Sequence, residues 1–256
     1  RFSWALWFFP IRRQIKSKKF AFLRIGHVLP LGYFGLVFTF AYGIPYVVYV
    51  HGLDVLHERI SPWKRLWIRS ILRHACGVVA NSKFTAQKVI ETYGISEKMV
   101  SVRYPLVCVT EIEDAAQTVL PITPRPAPKL ILSVGRLVRR KGFDMVLKAL
   151  TQLTAVDYHY WIIGEGNDRE RLSALISEYN LEDRATLLGR VPFPALYAYF
   201  KASDVFIMPS RDIGGDVEGF GIVFLEAGVF KKPVIGGRSG GVPEAVVDGV
   251  TGLLVD

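Results

Sequence analysis

Two glutamates in a glycine-containing stretch are the residues of this sequence best suited to chemistry. Glu218 and Glu226 have seven residues between them, and Gly219 and Gly221 follow the first glutamate. A carboxylate only accepts hydrogen bonds, so it suits the hydroxyl groups of a sugar. The glycines let the backbone approach a ligand, and the amides that begin the apolar helix after them form an anion site. Sugar hydroxyls on the glutamates and phosphate on the amides together predict a nucleotide sugar as the ligand.

The elements around this stretch would place it at one edge of a sheet. An apolar strand predicted over Asp204–Met208 precedes it, and another predicted over Pro233–Gly236 follows it. The turn therefore comes at the carboxyl end of a strand, where open α/β sheets bind their ligands.

A basic turn follows the strand predicted over Leu130–Val134. Arg136 and Lys141 flank this turn, which leads into a predicted helix. Arginine binds phosphate as a two-pronged fork and lysine binds it as a point charge, so this pair could hold a diphosphate. The alternative is a solvated basic loop, which we expect for Arg139 and Arg140.

A histidine ends another predicted strand, Tyr46–Val50. His51 followed by Gly52 stands where ligands bind in parallel sheets, and its imidazole could donate to a sugar hydroxyl or, when protonated, stabilise a phosphate. The alternative is a histidine that merely caps the strand. His27, after a short apolar run, is a second candidate.

Strands and helices alternate in both halves of the chain, which predicts two parallel, doubly wound α/β domains. The segment from Tyr104 to Lys129 lacks periodicity and collects four prolines between residues 121 and 128. We therefore predict a first domain over residues 1–120, a Pro-rich linker over residues 121–129 and a second domain over residues 130–256. Further strands are predicted over Cys76–Ala80, Val100–Arg103, Tyr158–Ile163 and Thr186–Leu188.

Three local patterns concern helix ends and a glycine pair. Ser82 is predicted to cap a helix over Lys83–Tyr93, and Asn167 with Glu170 resembles a capping box for a later helix. Gly164-Glu165-Gly166 lacks the third glycine of a dinucleotide motif, so it is weak support for dinucleotide binding.

Residues 28–50 contain no charged residue, so a membrane-spanning helix is one interpretation. Pro30 and the Gly43-Ile44-Pro45 break argue against it. The interpretation we favour is a buried helix over Gly32–Tyr42, followed by the strand Tyr46–Val50.

Charge is unevenly distributed. Residues 1–128 carry 17 Lys and Arg against 7 Asp and Glu, a net charge of +10, whereas residues 129–256 carry 15 against 16, a net charge of −1. The basic half predicts an anionic partner such as lipid headgroups, lipid phosphates or nucleic acid; the alternative is ordinary solubility. Nucleic acid is disfavoured because no recognisable binding motif accompanies the charge.

The first 20 residues combine aromatic and basic side chains. Trp4, Trp7, Phe8 and Phe9 precede a cluster of five lysines and arginines between residues 12 and 19. The pattern is typical of a helix in a membrane interface, and also of a core-facing helix with a solvated basic face. Pro10 interrupts the pattern, so we do not expect one clean amphipathic helix.

Cysteine and acidic residues predict neither a disulfide framework nor a metal site. Cys76 and Cys108 lie far apart, which favours a reducing compartment, and no Asp-x-Asp pair is present. The chain begins at Arg1 and ends directly after an apolar strand, so we expect a fragment cut at both ends.

Several segments occur in the order and spacing of a known family. They are SVGRLVRRKG, GEGNDRERL, LLGRV, ASDVFIMPS, EGFGIVFLEAG, KKPVIGGRSGGVPE and DGVTGLLVD, with YVVYVHGLDV and VVANSKFTAQKV earlier. The sequence resembles retaining GT-B glycosyltransferases of family 4 over most of residues 20–256. The resemblance implies two Rossmann-like domains facing a cleft, with the first strand and glycine-rich loop of the family missing before Arg1 and the N-terminal domain therefore incomplete.

The same resemblance implies roles for single residues. Arg136 and Lys141 would bind the diphosphate of the donor, Glu226 the ribose hydroxyls and Glu218 the transferred sugar. His51 would lie beside the reacting centre. The residues expected to line the sugar and phosphate with backbone amides are Gly219, Phe220, Gly221 and Ile222.

The resemblance predicts a hexosyltransferase that needs no metal and no other cofactor. It would move a sugar from a UDP- or GDP-linked donor, with retention and by same-face attack. From the basic first half we expect a lipid-linked or polysaccharide acceptor of the cell envelope. We expect a cytoplasmic location, peripheral to the inner face of the membrane. The alternatives are a non-catalytic sugar-nucleotide-binding protein at the membrane surface and a GT-B sugar-nucleotide epimerase.

Overall fold

The computed structural model describes residues 6–17, 20–56, 60–118 and 126–256. Contacts between residues divide the chain into two units. The first unit comprises Arg1–Tyr104 together with Gly214–Gly219, and the second comprises Pro105–Ile213 together with Phe220–Asp256.

The first unit contains a parallel sheet of four strands in the order β1-β2-β3-β4. Its strands are β1 Leu23–Ile25, β2 Tyr46–Val50, β3 Gly77–Ala80 and β4 Val100–Val102. Its helices are α1 Phe8–Ser17, α2 Gly32–Tyr42, α3 Leu53–Leu56, α4 Pro62–His74 and α5 Lys83–Tyr93. In register, Tyr46 pairs with Leu23, and Val47 pairs with Leu23's neighbour Arg24 and with Gly77.

Helix α5 has the ends that its sequence predicts. The Ser82 side chain accepts a hydrogen bond from the Thr85 backbone N–H at 3.0 Å, so the predicted cap is confirmed. The helix ends at Gly94, whose φ of 59° lies in the left-handed region that favours glycine.

Helix α2 has the predicted bounds but is buried on one face only. Phe34, Leu36 and Phe38 are buried, whereas Val37 is 42% and Phe40 70% exposed. A helix on one face of a sheet covers that sheet with one stripe, so an apolar sequence does not by itself make it a buried helix. At 11 residues α2 is too short to cross a bilayer, and the described residues contain no helix with the length and apolarity that a membrane span requires.

Helix α1 is continuous, contrary to the prediction that Pro10 interrupts it. Pro10 lies in the first turn, where a helix does not need its backbone N–H. Phe8, Ile11 and Ile15 pack on α2, and the rings of Phe8 and Phe38 stack with centroids 5.5 Å apart. Trp4 and two of the basic residues, Lys18 and Lys19, lie outside the described residues.

The second unit contains a parallel sheet of six strands in the order β10-β9-β8-β5-β6-β7. Its strands are β5 Lys129–Val134, β6 Tyr158–Ile163, β7 Ala185–Gly189, β8 Val205–Met208, β9 Val234–Gly237 and β10 Leu253–Val255. Its helices are α6 Val109–Gln117, α7 Phe143–Leu150, α8 Arg169–Glu178, α9 Leu196–Ala202, α10 Ile222–Val229 and α11 Val242–Ala245. The predicted pair of parallel-sheet α/β domains is confirmed, and among the described strands the order reverses in the second sheet.

Buried apolar side chains cover both faces of the second sheet. One cluster includes Leu130, Leu132 and Phe206, and the other includes Ile131, Tyr160 and Ile162. Alternate residues of β5 thus enter opposite clusters, because successive side chains of a strand point to opposite faces. This burial on both faces explains why these strands read as continuous apolar runs.

Two local predictions for the second unit are wrong. Helix α8 begins at Arg169 after Asp168, with no side-chain cap, so Asn167 and Glu170 do not form the predicted capping box. Asp168 binds Arg171 instead of a backbone N–H. The segment predicted to lack periodicity contains α6, which packs on α9 and α10.

The contact-defined division differs from the predicted domain boundary at residue 120. Because α6 packs within the second unit, the division falls after Tyr104. Part of the predicted linker, residues 121–125, lies outside the described residues.

Candidate functional site

The order of strands in the second sheet marks a place for a ligand. From β5 the chain builds outward through β6 and β7 on one side, and through β8, β9 and β10 on the other. The reversal lies between β5 and β8. Doubly wound sheets bind ligands at the carboxyl ends of strands at such a reversal.

Lys141 brings a buried positive charge to this reversal. Its side chain is 8% exposed, and Nζ lies 3.5 Å from Sδ of Met208, the last residue of β8. The side chain also runs beside Gly135, which follows β5: a Cβ on Gly135 would lie 3.4 Å from Lys141 Cε. The ammonium group therefore lies where the carboxyl ends of β5 and β8 meet.

The turn that carries Lys141 depends on Gly142. Its φ of 75° lies in the left-handed region, and a Cβ there would lie 2.1 Å from the Pro209 carbonyl oxygen. Within this turn Arg139 is exposed, as predicted, but Arg140 is only 4% exposed. The prediction of a solvated Arg140 is therefore wrong; its backbone carbonyl accepts a hydrogen bond from the Arg211 N–H at 2.8 Å, which holds the turn against the end of β8.

An ion-pair network supports this turn from behind. Asp144, in the first turn of α7, accepts from Arg211 at 2.8 Å and from Arg171 at 3.3 Å, and Arg171 also binds Asp168 at 2.7 Å. Burial opposes ionisation of Asp144, yet hydrogen bonds and charge from the two arginines hold its pKa below the usual range. Sequence reasoning missed this network, because nothing in the spacing of these four residues shows that they meet.

A cavity of about 360 Å³ lies at the carboxyl ends of β5, β6 and β7. Arg136 lines it, together with Glu165 and Arg190 among polar residues and Ile163, Val191 and Leu196 among apolar ones. Gly164 shapes its floor, since φ is 140° and a Cβ would lie 1.9 Å from the Gly135 carbonyl oxygen. An apolar cavity with a few polar groups suits a flat heterocyclic ring.

Glu226 lies in helix α10, which starts after Gly221 with its φ of 93°. The carboxyl is half-buried, and burial raises its pKa above the usual range. Phe220 is buried beside the start of the helix and Ile222 is 42% exposed. The second unit thus contains six of the eight predicted donor-binding residues: Arg136, Lys141, Phe220, Gly221, Ile222 and Glu226.

In the first unit, His51 lies at the carboxyl end of β2, as predicted. Its Nε2 lies 3.0 Å from the Gly26 carbonyl oxygen, and its backbone N–H donates to Asp54 Oδ1 at 2.9 Å. A carbonyl oxygen can only accept, so the contact places the proton of a neutral ring on Nε2 and leaves Nδ1 as an acceptor. The second candidate, His27, has Nδ1 2.7 Å from the Leu29 carbonyl oxygen.

Gly219 also belongs to the first unit and lies against His51. A Cβ on Gly219 would lie 2.3 Å from the His51 carbonyl oxygen and 3.0 Å from Asn81 Nδ2. Asn81 donates to that same oxygen at 3.3 Å. Sequence reasoning gave Asn81 only a place in a turn; its position after β3, as His51 follows β2, is the signal that could have found it. Glu218 is half-buried and groups with this unit too.

The described residues contain no group of three or more histidine, cysteine, aspartate or glutamate side chains that could hold a metal ion. The need for a metal is a separate question, and metal independence stays a prediction.

Two family models match the chain. The model described as "Glycosyl transferases group 1" matches residues 121–256, and the model described as "Glycosyltransferase Family 4" matches residues 1–111.

Two relatives illustrate the likeness in sequence. A GDP-mannose-dependent alpha-(1-6)-phosphatidylinositol monomannoside mannosyltransferase of Mycolicibacterium smegmatis is 41% identical over 131 residues, which cover 50% of this chain and 34% of that protein. A D-inositol 3-phosphate glycosyltransferase of Pseudarthrobacter chlorophenolicus is 30% identical over 246 residues, which cover 90% of this chain and 57% of that protein. The chain thus spans less than two thirds of either relative.

A solved structure supports the fold. The Anabaena protein Alr3699/HepE, in complex with UDP, aligns with a TM-score of 0.73 and 22% identity over 88% of this chain and 62% of that one. At this identity the likeness concerns the fold, which is the predicted GT-B architecture of two parallel-sheet α/β domains. The model described as "Glycosyl transferases group 1" covers more than half of the residues of this chain, so the chain belongs to the group 1 glycosyl transferases.

Proposed function

We propose that this protein transfers a hexose from a nucleoside-diphosphate sugar to a lipid-linked or polysaccharide acceptor, without a metal and with retention of the anomeric configuration. Family membership supports the reaction class. The relative from Mycolicibacterium smegmatis is named for GDP-mannose and a phosphatidylinositol mannoside, which supports a sugar nucleotide and a glycolipid as the two substrates.

One observation carries the proposal: the buried Lys141 ammonium at the reversal of the second sheet. It lies at the carboxyl ends of β5 and β8, where doubly wound sheets bind their ligands, so an anion bound there would lie beside a positive charge with little screening by water. Arg136, which lines the neighbouring cavity, would hold the other phosphate of a diphosphate. The cavity itself would take the base.

The other donor contacts of the proposal follow from the family resemblance. The half-buried Glu226 carboxylate would accept from the ribose hydroxyls, and Glu218 from the hydroxyls of the transferred sugar. The backbone from Gly219 to Ile222 would donate to phosphate or sugar oxygens near the start of α10.

The transfer step exchanges one bond at the anomeric carbon for another. The bond from this carbon to the diphosphate oxygen breaks, and the electron pair leaves with the diphosphate, whose charge Arg136 and Lys141 would stabilise. The acceptor oxygen bonds to the same face of the sugar, and its proton passes to the departing phosphate oxygen. Trapping of a covalent glycosyl–Glu218 adduct would contradict this route, because a double displacement needs a carboxylate nucleophile.

His51 is proposed to lie beside the reacting centre as an acceptor. With its proton on Nε2, the ring can accept from a hydroxyl of sugar or acceptor through Nδ1. We place the protein in the cytoplasm at the inner face of the membrane, because a lipid-linked acceptor lies at a membrane surface and residues 1–128 carry a net charge of +10.

The test is calorimetric binding of UDP, GDP, ADP, CDP and dTDP to the purified chain and to Glu226→Gln. We expect micromolar binding of one diphosphate, weakened about tenfold by the loss of one charge-assisted hydrogen bond. The control is Glu178→Gln, at the end of α8 and thus at the opposite edge of the sheet, which should bind like the parent. No binding of any diphosphate to folded protein would overturn the proposal.

Thermal unfolding of Glu226→Gln checks that the variant is folded and that the carboxyl is buried as described. The folded carboxyl binds its proton more tightly than the unfolded one, so the free energy of unfolding falls as pH rises from about 4.3 through the raised folded pKa. Removing the charge should therefore raise Tm at pH 7 and change it little near pH 4. A lower Tm at pH 7 would contradict the burial.

A further inference from the structure

The outer faces of α2 and α4 carry large apolar side chains in water. Trp63 is 68%, Leu66 58% and Trp67 37% exposed on α4, and Phe40 is 70% exposed on α2. The inner faces of both helices are packed on the sheet through Leu36, Ile68, Ile71 and Leu72. Burial therefore uses one face of each helix and leaves the aromatic side chains of the other face uncovered.

Ring contacts join these side chains into two clusters between α2 and α4, which together we call the aromatic strip: Tyr33, Trp63 and Trp67 form one cluster, and Phe40 and His74 form the other. Trp63 and Trp67 contact each other with centroids 6.2 Å apart, and Trp67 contacts Tyr33 at 5.4 Å. Phe40 contacts His74 at 5.1 Å. The strip therefore consists of two clusters along α2 and α4, one in the first half of α4 and one at its last residue.

Basic side chains flank the strip on the other side of α4. Arg65, Arg69 and Arg73 recur every fourth residue, so they share one side of the helix, and all three are exposed. The α4 sequence contains no acidic residue, and α2 contains no charged residue. Residues 1–104 carry 16 Lys and Arg against 4 Asp and Glu, so the strip belongs to a part of the chain with a net charge of +12.

We infer that the aromatic strip and the arginines beside it are a docking surface for an anionic lipid bilayer. Tryptophan and tyrosine favour the boundary between headgroups and hydrocarbon, and basic side chains bind the anionic headgroups beside them. A soluble apolar partner would not need the row of arginines. Charge complementarity thus selects the bilayer.

One end of this surface lies at the edge of the sheet that carries His51. Helix α4 connects the carboxyl end of β2 with the amino end of β3, so its first turns lie at the carboxyl edge of the sheet. Residues 61–67, which include Trp63 and Leu66, are all exposed there. The inference rests on the proposed function in one respect: docking here would hold His51 near a lipid-linked acceptor.

The test is co-sedimentation of the purified chain with vesicles of phosphatidylcholine alone and with about 30% phosphatidylglycerol. We expect binding to the anionic vesicles, weakening as salt rises. The variant Trp63→Ser/Leu66→Ser should lower the partition coefficient roughly tenfold or more, because both side chains lose their burial in lipid. Arg65→Gln/Arg69→Gln should lower it roughly fivefold for each charge, and only on anionic vesicles.

The matched control is Leu106→Ser/Val250→Ser, which removes two side chains of the second unit that are 89% and 79% exposed. It should bind vesicles like the parent. Equal binding of the parent and Trp63→Ser/Leu66→Ser, with circular dichroism melts unchanged, would overturn the inference. A lipid-free dimer that dissociates in Trp63→Ser/Leu66→Ser would overturn it as well, since the strip would then contact a second copy of the chain.

Diphosphate calorimetry without vesicles separates this inference from the proposed function. Nucleotide binding with no vesicle binding would remove the docking surface and leave the transferase. Vesicle binding through the strip with no nucleotide binding would overturn the proposed transferase and leave the docking surface.

Discussion

The two units differ in net charge and in whether they bury charged side chains. Residues 1–104 are strongly basic, yet no charged side chain among those that the structure describes in this range is buried. Residues 105–256 carry 16 Lys and Arg against 19 Asp and Glu, and they bury Arg140, Lys141 and Asp168. The net charge of a unit therefore does not predict where its cations are buried: the nearly neutral unit holds the buried lysine of the proposed anion site. A desolvated charge acts strongly on a bound anion, whereas the long-range field of a surface depends on its total charge.

The largest loss of stability should come from a substitution that distorts the backbone beside the buried Lys141. In Gly164→Ala, the new Cβ would lie 1.9 Å from the Gly135 carbonyl oxygen, and Gly135 forms the wall beside Lys141. We expect a loss of more than about 3 kcal/mol in the free energy of unfolding, from a backbone clash added to a positive φ. Urea unfolding measures it.

The control for Gly164→Ala is Gly43→Ala in the first unit. Gly43 has a φ of 67° with nothing within 4 Å of its Cβ position, so only the conformational cost of about 1–2 kcal/mol applies. Equal losses in the two variants would show that the close approach at Gly164 matters little.

A smaller effect is expected from the ion-pair network behind the basic turn. Asp144→Asn should cost about 1.5–3 kcal/mol at pH 7, because Arg211 and Arg171 lose a charged acceptor that is 16% exposed. The folded pKa of Asp144 is lowered, so its stabilisation is present above the unfolded pKa of about 3.9 and is lost as pH falls through the folded value.

Urea unfolding at several pH values would measure this dependence. The loss caused by Asp144→Asn should be constant from pH 7 to about pH 4 and shrink below that. Asp157→Asn is the matched control, since Asp157 is exposed, and it should change stability by less than about 0.5 kcal/mol. A loss that stayed constant at pH 3 would show that charge is not what Asp144 contributes.

The smallest effect should come from a single charge of the first unit. Arg73 lies near the end of α5, with Nη2 3.9 Å from the Cβ position of Gly94. Arg73→Gln should therefore cost about 0.3–1 kcal/mol, the usual effect of a cation at a helix carboxyl end, and the loss should fall with added salt.

The contrast to Arg73→Gln is Arg140→Gln in the second unit, where the side chain is 4% exposed. It should cost about 3 kcal/mol or more and depend little on salt. If both substitutions cost the same, the difference between the two units would not extend to the energy of folding.

Much of the fold was predictable because the local sequence of its core strands and helices shows where each begins and ends. The strands Tyr46–Val50 and Tyr158–Ile163 and the helices Gly32–Tyr42 and Lys83–Tyr93 have the predicted bounds. Each is an apolar or periodic run bounded by glycine, proline or a capping serine, so short-range chemistry decides where it begins and ends.

The failures concern contacts between segments far apart in sequence. Arg140 is buried in a turn that contacts Pro209 and Arg211 after the end of β8. Helix α6 packs on α9 and α10, which follow it much later in the sequence. The exposed face of α2 follows from which side the sheet occupies. At the candidate site, residue types indicated Lys141, Glu226 and His51. The positions of Asp144, Arg211 and Asn81 follow only from the folded arrangement of the strands and turns. The roles of all six residues in catalysis and binding stay predictions.

The first unit is discontinuous in sequence, which affects both the synthesis of the chain and the design of chimeras. Gly214–Gly219 belongs to that unit, and Gly219 lies against His51 and Asn81. During synthesis the first unit can gain its last segment only after most of the second unit has been translated. A chimera that exchanges the first unit as one continuous block would separate His51 from its own Gly219, so a working hybrid must carry the distant hexapeptide with the half to which it belongs.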